Sequence, residues 1–447
     1  MKTWDTVVIG AGPGGAVTAK ALAAAGREVL WLEEGPHLSL DSCEPFSRAE
    51  LEQKYRCGGL TVTLGRPQIQ YVEGRCVGGG SEVNSGLYHR LPADLRQAWA
   101  HSHGLPEFTE PDLAPHFADI ERELSISYSA DPPPLPAQKL VLGAAALGLT
   151  AHEVPRWFRG DRKQSMTETL VPQALAKGAQ LWADWRVQRL QRRHGRWEIQ
   201  GQSQSVLAAN VFVCGGAIQT PALLQRSGYR GQIGRSLQMH PTVRAIAVFP
   251  DQVNQLGLGV AAYQVKVGDR YRFGSSAATS GYVRLGLLDY PGVEVPWEHT
   301  AMYYVALAGG EAGGTVQTLP GYGDPLVRYR LTPRDRTELG QGLQQLCRLL
   351  LAAGATTVYP GVAGWAPVRS PADLESWPVT LPGTARVMTV HLFGSCPLGQ
   401  AVDPWGQVAA GLYVNDGSLL PGALGVNPQG TIMAVAQRNV QHFLAVA

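Results

Sequence analysis

Thr6-Val-Val-Ile9-Gly10-Ala-Gly12-Pro13-Gly14-Gly15 stands at the start of this 447-residue chain, and its reading decides the fold. The apolar run ending at Ile9 reads as a buried parallel strand. The glycines permit a tight turn and close approach of backbone to a ligand, and the alanine-rich stretch through Ala25 reads as a helix opened by that turn. Strand, glycine turn and helix in this order aim the free N–H groups of a helix start at a phosphate. Gly10, Gly12, Pro13, Gly14 and Gly15 therefore point to a dinucleotide site. A second strand, Glu28-Val-Leu-Trp-Leu32, runs into Glu33 and Glu34. An acid at this spacing accepts from ribose hydroxyls and repels a 2′-phosphate. Glu33, with Glu34 next, is the expected ribose contact, and the cofactor is FAD or NAD.

The following stretch chooses between them. A simple NAD dehydrogenase would continue with further βα units. Residues 36–110 instead read as loop and carry a second glycine-rich segment, Gly74-Arg75-Cys-Val-Gly78-Gly79-Gly-Ser81-Glu-Val-Asn84-Ser-Gly86. Such a segment cannot pack a core by itself and reads as backbone laid against a flat ligand, which favours flavin.

Composition bounds the rest. With 45% hydrophobic and 17% charged residues the chain can bury a large core, enough for about two or three domains. A net charge of +2 gives no long-range attraction to nucleic acid or anionic lipid. The basic run Arg186 to Arg196 alternates polar and apolar residues around His194-Gly195, as a hairpin with a solvated face does. Six widely spaced cysteines form no metal or disulfide pattern. Asp131-Pro-Pro-Pro-Leu-Pro136 reads as an extended connector. No apolar run suffices to span a bilayer, so a soluble, cytoplasmic protein is expected.

The glycine-rich segment resembles the first signature of the glucose-methanol-choline (GMC) oxidoreductases, and further matches follow in order. Cys214-Gly-Gly-Ala-Ile-Gln-Thr-Pro221 with Ser227-Gly228 is similar to the second signature, succeeded by Leu237-Gln-Met-His240-Pro241. The segments His391-Leu-Phe-Gly-Ser-Cys-Pro-Leu-Gly399, Gly411 to Ser418 and Gly425-Val-Asn427-Pro428-Gln-Gly-Thr431 are similar to the closing pattern. The resemblance implies an α/β fold (α+β overall): a Rossmann-type FAD-binding domain with an inserted antiparallel-sheet substrate domain. The implied FAD-binding parts are residues 1–94, 180–240 and 385–447, with 95–179 and 241–384 forming the substrate-binding domain and connectors. It implies that Arg75, Gly78, Gly79, Ser81 and Asn84 cover the flavin, and that Val187 meets the adenine through its backbone. Asp416 would bind the ribityl or pyrophosphate region, with Gly417, Pro428 and Thr431 beside it. His391 and Asn427 would be the catalytic pair. Val83 stands where some members carry the histidine that bonds FAD covalently, so non-covalent FAD is implied. Pro397 and the short chain depart from the family pattern, and the shortness suggests a reduced cap.

The residues suggest how such chemistry would run. Asn427-Pro428 reads as an N-cap and first helical residue of a helix running to about Phe443. Hydride removal from a neutral alcohol is eased when the hydroxyl proton leaves too, so an imidazole base at His391 is expected. Asn427 would orient the hydroxyl toward flavin N5. The expected partners are a small alcohol, apolar by the composition of the cap segment, and oxygen or another electron acceptor. The rivals are GMC-fold flavoenzymes with non-oxidative or light-driven chemistry, such as a lyase or fatty-acid photodecarboxylase, and a non-enzymatic flavin-binding scaffold. Tyr303, Tyr304, Trp297 and Trp365 read as core or as pocket lining.

Overall fold

In the computed structural model, which describes residues 2–310 and 312–446, the quoted motif forms the centre of an eight-stranded sheet. The first strand, Thr3–Ile9, is parallel to Val29–Leu32 on one side and to Ser205–Val213 on the other. Gln180–Trp182 and Leu412–Val414 extend the parallel set. The basic run makes an antiparallel hairpin, Arg189–Arg193 against Arg196–Gln200, turning at His194 and Gly195. Strands flanked by helices on both faces must be apolar throughout, and Val7, Val8, Val29, Leu30 and Trp31 have no solvent exposure. The helix Pro13–Ala24 packs against the C-terminal helix Gln429–Val446.

A nine-stranded sheet is built around Thr242–Val248, Thr300–Leu307, Tyr271–Ser276 and Tyr263–Val267, all antiparallel. Its period-2 alternation separates two faces. Val243, Ala245, Phe273, Tyr303 and Val305 share one hydrophobic core with Leu343 and Leu346 of the helix Pro333–Ala352. Thr242, Arg244, Ile246, Arg272, Met302, Tyr304 and Ala306 face a cavity instead.

The stretch 36–110 is less loop-like than its glycine content suggests. Helices occupy Arg48–Lys54 and Ala93–Ser102, the former capped by the Ser47 hydroxyl on Glu50 N–H. The proline connector is extended only to Pro134. Leu135 and Pro136 open the helix Leu135–Ala146, because proline in a first turn forfeits no hydrogen bond. No described helix is long and apolar enough to cross a membrane.

Candidate functional site

A cavity of about 790 Å³ is lined by residues of both sheets. It gathers Gly10, Gly12, Pro13, Gly14, Glu33, Glu34, Gly79, Asn84, Val187, His391, Asp416, Gly417, Asn427 and Pro428 from across the chain. Gly15, Arg75, Gly78, Ser81 and Thr431 are not among its lining residues.

At one end the glycine turn is tied into its surroundings. Gly10 has φ +100°, and a Cβ there would stand 2.3 Å from the Cys214 carbonyl oxygen. A Cβ on Gly14 would meet Asn415 O at 2.3 Å, and one on Gly15 would meet Gly10 O at 2.0 Å. Gly15 therefore serves helix-to-strand packing. Both oxygens of the buried Glu33 carboxylate accept backbone N–H groups, from Ala11 and from Gly35, each at 2.8 Å. Burial pushes this carboxyl up to about 7 against those two donors. Glu34 is held differently. Burial would raise its carboxyl, but the Arg56 guanidinium, bidentate at 2.8 and 3.0 Å, keeps it below the usual range with help from Arg186 and Arg75. Arg75 thus turns toward Glu34, at 3.2 Å.

The glycine-rich segment divides its labour. Gly79 brings backbone against the fingerprint, since a Cβ on it would lie 2.8 Å from Gly12 Cα. Gly78 has φ +92° and leaves room for the Glu82 side chain, while the sealed Ser81 hydroxyl donates to Gly78 O and accepts from Met166 N–H. Asn84 donates to Gln429 Oε1 at 2.7 Å, joining this segment to the start of the C-terminal helix.

The Asp416 carboxylate is fully engaged by protein. One oxygen accepts from Gly216 N–H at 2.7 Å and the Thr220 hydroxyl at 2.5 Å, the other from Ser418 N–H at 2.8 Å and its hydroxyl at 2.5 Å. Complete burial raises this carboxyl and the donors oppose the rise.

At the other end lies a histidine cluster. His391 Nε2 is 3.2 Å from the Asn427 amide, and His391 Nδ1 is 2.9 Å from His240 Nδ1. Gly425 N–H donates to His240 Nε2 at 3.0 Å. A backbone N–H only donates, so a neutral His240 carries its proton on Nδ1 and gives it to His391 Nδ1. His391 then carries its own proton on Nε2, facing Asn427. That orientation calls for the amide oxygen opposite Nε2, and amide oxygen and nitrogen are interchangeable in assignment. Turned this way, the amide also gives a partner to Asn427 Oδ1, which is otherwise buried without one. Its nitrogen is left for neighbouring His89, whose Nδ1 likewise lacks a partner. Burial, then the charge of Arg272, pushes His391 down to about 3. His240 is depressed by burial and by His391, and His89 falls to about 3 by burial and Arg272.

Sequence reasoning quoted His240 inside a motif without a role, and it missed His89, Arg56, Arg244 and Arg272. A histidine before proline and an arginine inside an otherwise apolar strand were the available signals. Tyr304 lines the cavity, whereas Tyr303 is buried in the core with its hydroxyl on Pro136 O, Trp297 donates to Ala278 O, and Trp365 packs on Trp377.

Sequence models of GMC oxidoreductase match residues 51–242 and 315–436, and a model of the NAD(P)-binding Rossmann-like domain matches residues 8–63. An uncharacterized GMC-type oxidoreductase of Sinorhizobium fredii is 38% identical over 97% of this chain and 93% of its own length. The chain belongs to the GMC family of FAD-dependent oxidoreductases. This GMC protein is also 26% identical, over 97% of its length, to a long-chain-alcohol oxidase of Arabidopsis thaliana, of which the match covers 66%. The fold of pyridoxine 4-oxidase from Mesorbium loti superposes with a TM-score of 0.78 at 19% identity, covering 99% of both chains.

The residues present fit the family's cofactor. Gly80 and Gly216 face the cavity with nothing within 4 Å of where a Cβ would stand, which leaves bare backbone for a flat ligand. Thr431 Oγ1, in the first turn of the C-terminal helix, is buried without a partner.

Proposed function

We propose that this GMC protein binds FAD without a covalent bond and uses it to oxidise the CH–OH group of a small alcohol, passing electrons to oxygen or another acceptor. The observation that carries the reading is His391 and Asn427 side by side, 3.2 Å apart, on the cavity wall. A relative named as a long-chain-alcohol oxidase supports the choice of an alcohol. In this reading residues 1–94, 180–240 and 385–447 form the FAD-binding domain, and 95–179 with 241–384 supply the substrate side and connectors. Bound FAD would supply the hydride acceptor. Glu33 would take ribose hydroxyls on the lone pairs its two backbone donors leave free, and the glycine turn and the start of the C-terminal helix would receive the phosphates and the flavin.

The hydroxyl sits between two groups of opposite sense. His391 Nε2–H donates to the hydroxyl oxygen, and the Asn427 carbonyl accepts the hydroxyl hydrogen, which fixes the direction of the carbinol C–H bond. This departs from the base expected of His391 and rests on a neutral His240 whose Nε2 accepts from Gly425 N–H. In this reading the hydroxyl proton is released to water in the cavity as the hydride leaves, and donation from Nε2–H strengthens as negative charge gathers on the oxygen.

Two outcomes test the cofactor part. Acid precipitation of the yellow protein should release all flavin into the supernatant, since Val83 offers no nucleophilic atom. Flavin retained on the washed pellet would refute a non-covalent link. Glu33→Ala should weaken FAD binding about 10-fold or more, from two lost hydrogen bonds to a charged acceptor. Unchanged FAD affinity in equilibrium dialysis would move the ribose contact to another side chain.

A further inference from the structure

Arg244 and Arg272 stand half-buried on the cavity face of the nine-stranded sheet. Among the described residues neither guanidinium has a carboxylate within 4.0 Å or a hydrogen-bond partner. The other arginines of the cavity are engaged: Arg56 with Glu34, Arg186 with Asp324, Arg386 with Asp289 and Arg226 with the Gln188 carbonyl. The acids of the cavity are engaged too, each at the dinucleotide end. Even a half-buried guanidinium without a counter-charge carries a desolvation cost, and arginine does not escape it by losing its proton at neutral pH. Arg272 remains a cation even though burial lowers it to about 10. The Arg244 guanidinium lies 5.7 Å from the Tyr282 ring centroid, a contact that leaves its charge without a carboxylate.

Their placement on the sheet brings them to one ligand. Arg244 lies opposite Tyr304, and Arg272 opposite Ala306 on that same central strand. Two strand spacings and a two-residue offset put their Cα atoms roughly 12 Å apart on one face of the sheet, with Arg244 toward Tyr282 and Arg272 toward Tyr304. Tyr304, on the central strand, leans over Gly274 toward Gln264, on the Arg272 side. Gln264 donates to its hydroxyl oxygen at 2.9 Å, so the Tyr304 proton is left to donate into the cavity. Arg272, His391 and Asn427 line the same cavity, and the Arg272 charge depresses His391, His240 and His89, so an anion at Arg272 shares its space with the hydroxyl-binding pair. Ile246 and Met302 line the same space and suit a carbon skeleton.

We propose that the alcohol carries an oxyanion, a carboxylate or a phosphate monoester, bound by Arg272 and Arg244 with Tyr304. The substrate class is then a hydroxy acid or its phosphorylated counterpart, in place of the apolar alcohol expected from composition. This rests on the alcohol-oxidation reading.

The test uses the flavin-loaded protein and matched pairs: benzyl alcohol against 4-(hydroxymethyl)benzoate, and 1-butanol against 4-hydroxybutanoate and 4-hydroxybutyl phosphate. Anaerobic flavin reduction should half-saturate about 10- to 100-fold lower for the anionic members, and the two anionic arms separate carboxylate from phosphate. The Arg244→Gln/Arg272→Gln double variant should reduce that ratio to about one. A second readout is binding alone, by flavin absorbance, of 4-methylbenzoate against 4-methylbenzamide, with the acid preferred in the wild type and not in the variant. Neutral members that match the anionic ones in wild type, or a preference that survives the double substitution, overturns the proposal. FAD lost from the double variant also overturns it, by assigning the guanidiniums to the cofactor. If no alcohol reduces the flavin while 4-methylbenzoate binds preferentially, the oxidation reading fails and the oxyanion site stands. If alcohols react without charge preference, the site fails and the oxidation stands.

Discussion

Replacing His391 by alanine is expected to slow anaerobic flavin reduction by about 10²- to 10³-fold, the cost of deleting one preorganised donor at a developing charge. FAD content should be unchanged. His391→Gln separates the two roles open to this side chain, because glutamine retains an N–H donor and has no basic nitrogen. If Nε2–H is a donor, as the Gly425 contact requires, His391→Gln recovers most of the lost rate. A glutamine variant as slow as the alanine one, in stopped-flow reduction with saturating substrate, would restore the base mechanism. The pH dependence gives a second reading. His391 is pushed down to about 3, so it stays neutral from pH 5 upward. Its contribution to the rate should be level from pH 5 to pH 8, with loss only as pH falls toward about 3 and the ring gains a proton. A rate that climbs through an imidazole-like step near pH 6.5 and loses it in His391→Ala would contradict this. Asn427→Ala should cost less than His391→Ala, since the ring donor remains.

Asp416→Ala is expected to lower folding stability by about 3–5 kcal/mol and to release the flavin. The carboxylate collects four donors, and alanine leaves the Gly216 and Ser418 N–H groups inside the protein without acceptors. Those contacts span the start of the helix Gly216–Arg226 and the turn at Gly417–Leu419, both of which reach the cavity wall. Asp416→Asn should be milder, because an amide oxygen still accepts from one of these groups. Denaturant unfolding and FAD content measured on the same samples decide the matter. An alanine variant of wild-type stability that still loses FAD would reassign Asp416 to direct cofactor contact.

The two expectations differ in how much of them could be read along the chain. Glycine at positions 10, 12 and 14, with an acid at the end of the next strand, was legible because strand, turn and helix are consecutive and each residue's neighbours in sequence are its neighbours in space. The helix from Gln429 was legible for the same reason, through Pro428 and its alanine-rich turns, although it starts one residue later than expected and Asn427 Oδ1 caps none of its N–H groups. His391 and Asn427 were found by family pattern, but their chemistry was not. The tautomer of His391 depends on His240, 151 residues away, and His240 takes its orientation from Gly425, 185 residues away. Arg75 and Ser81 matched the family pattern equally well, yet one turns to Glu34 and the other is sealed between Gly78 and Met166.

By itself, then, the sequence determined through short-range order and strict glycine spacing that this chain builds a dinucleotide-binding sheet, and its resemblance to the family signatures placed it among flavin-dependent oxidoreductases. The tertiary structure decided which groups the nitrogens of His391 face, which acids are spent on arginines, and which two arginines line the cavity without a carboxylate. Strand register sets that last outcome. A side chain's face alternates with every residue, and its counter-charge comes from whichever strand or loop packs opposite, so no local pattern records whether a buried charge has found a partner.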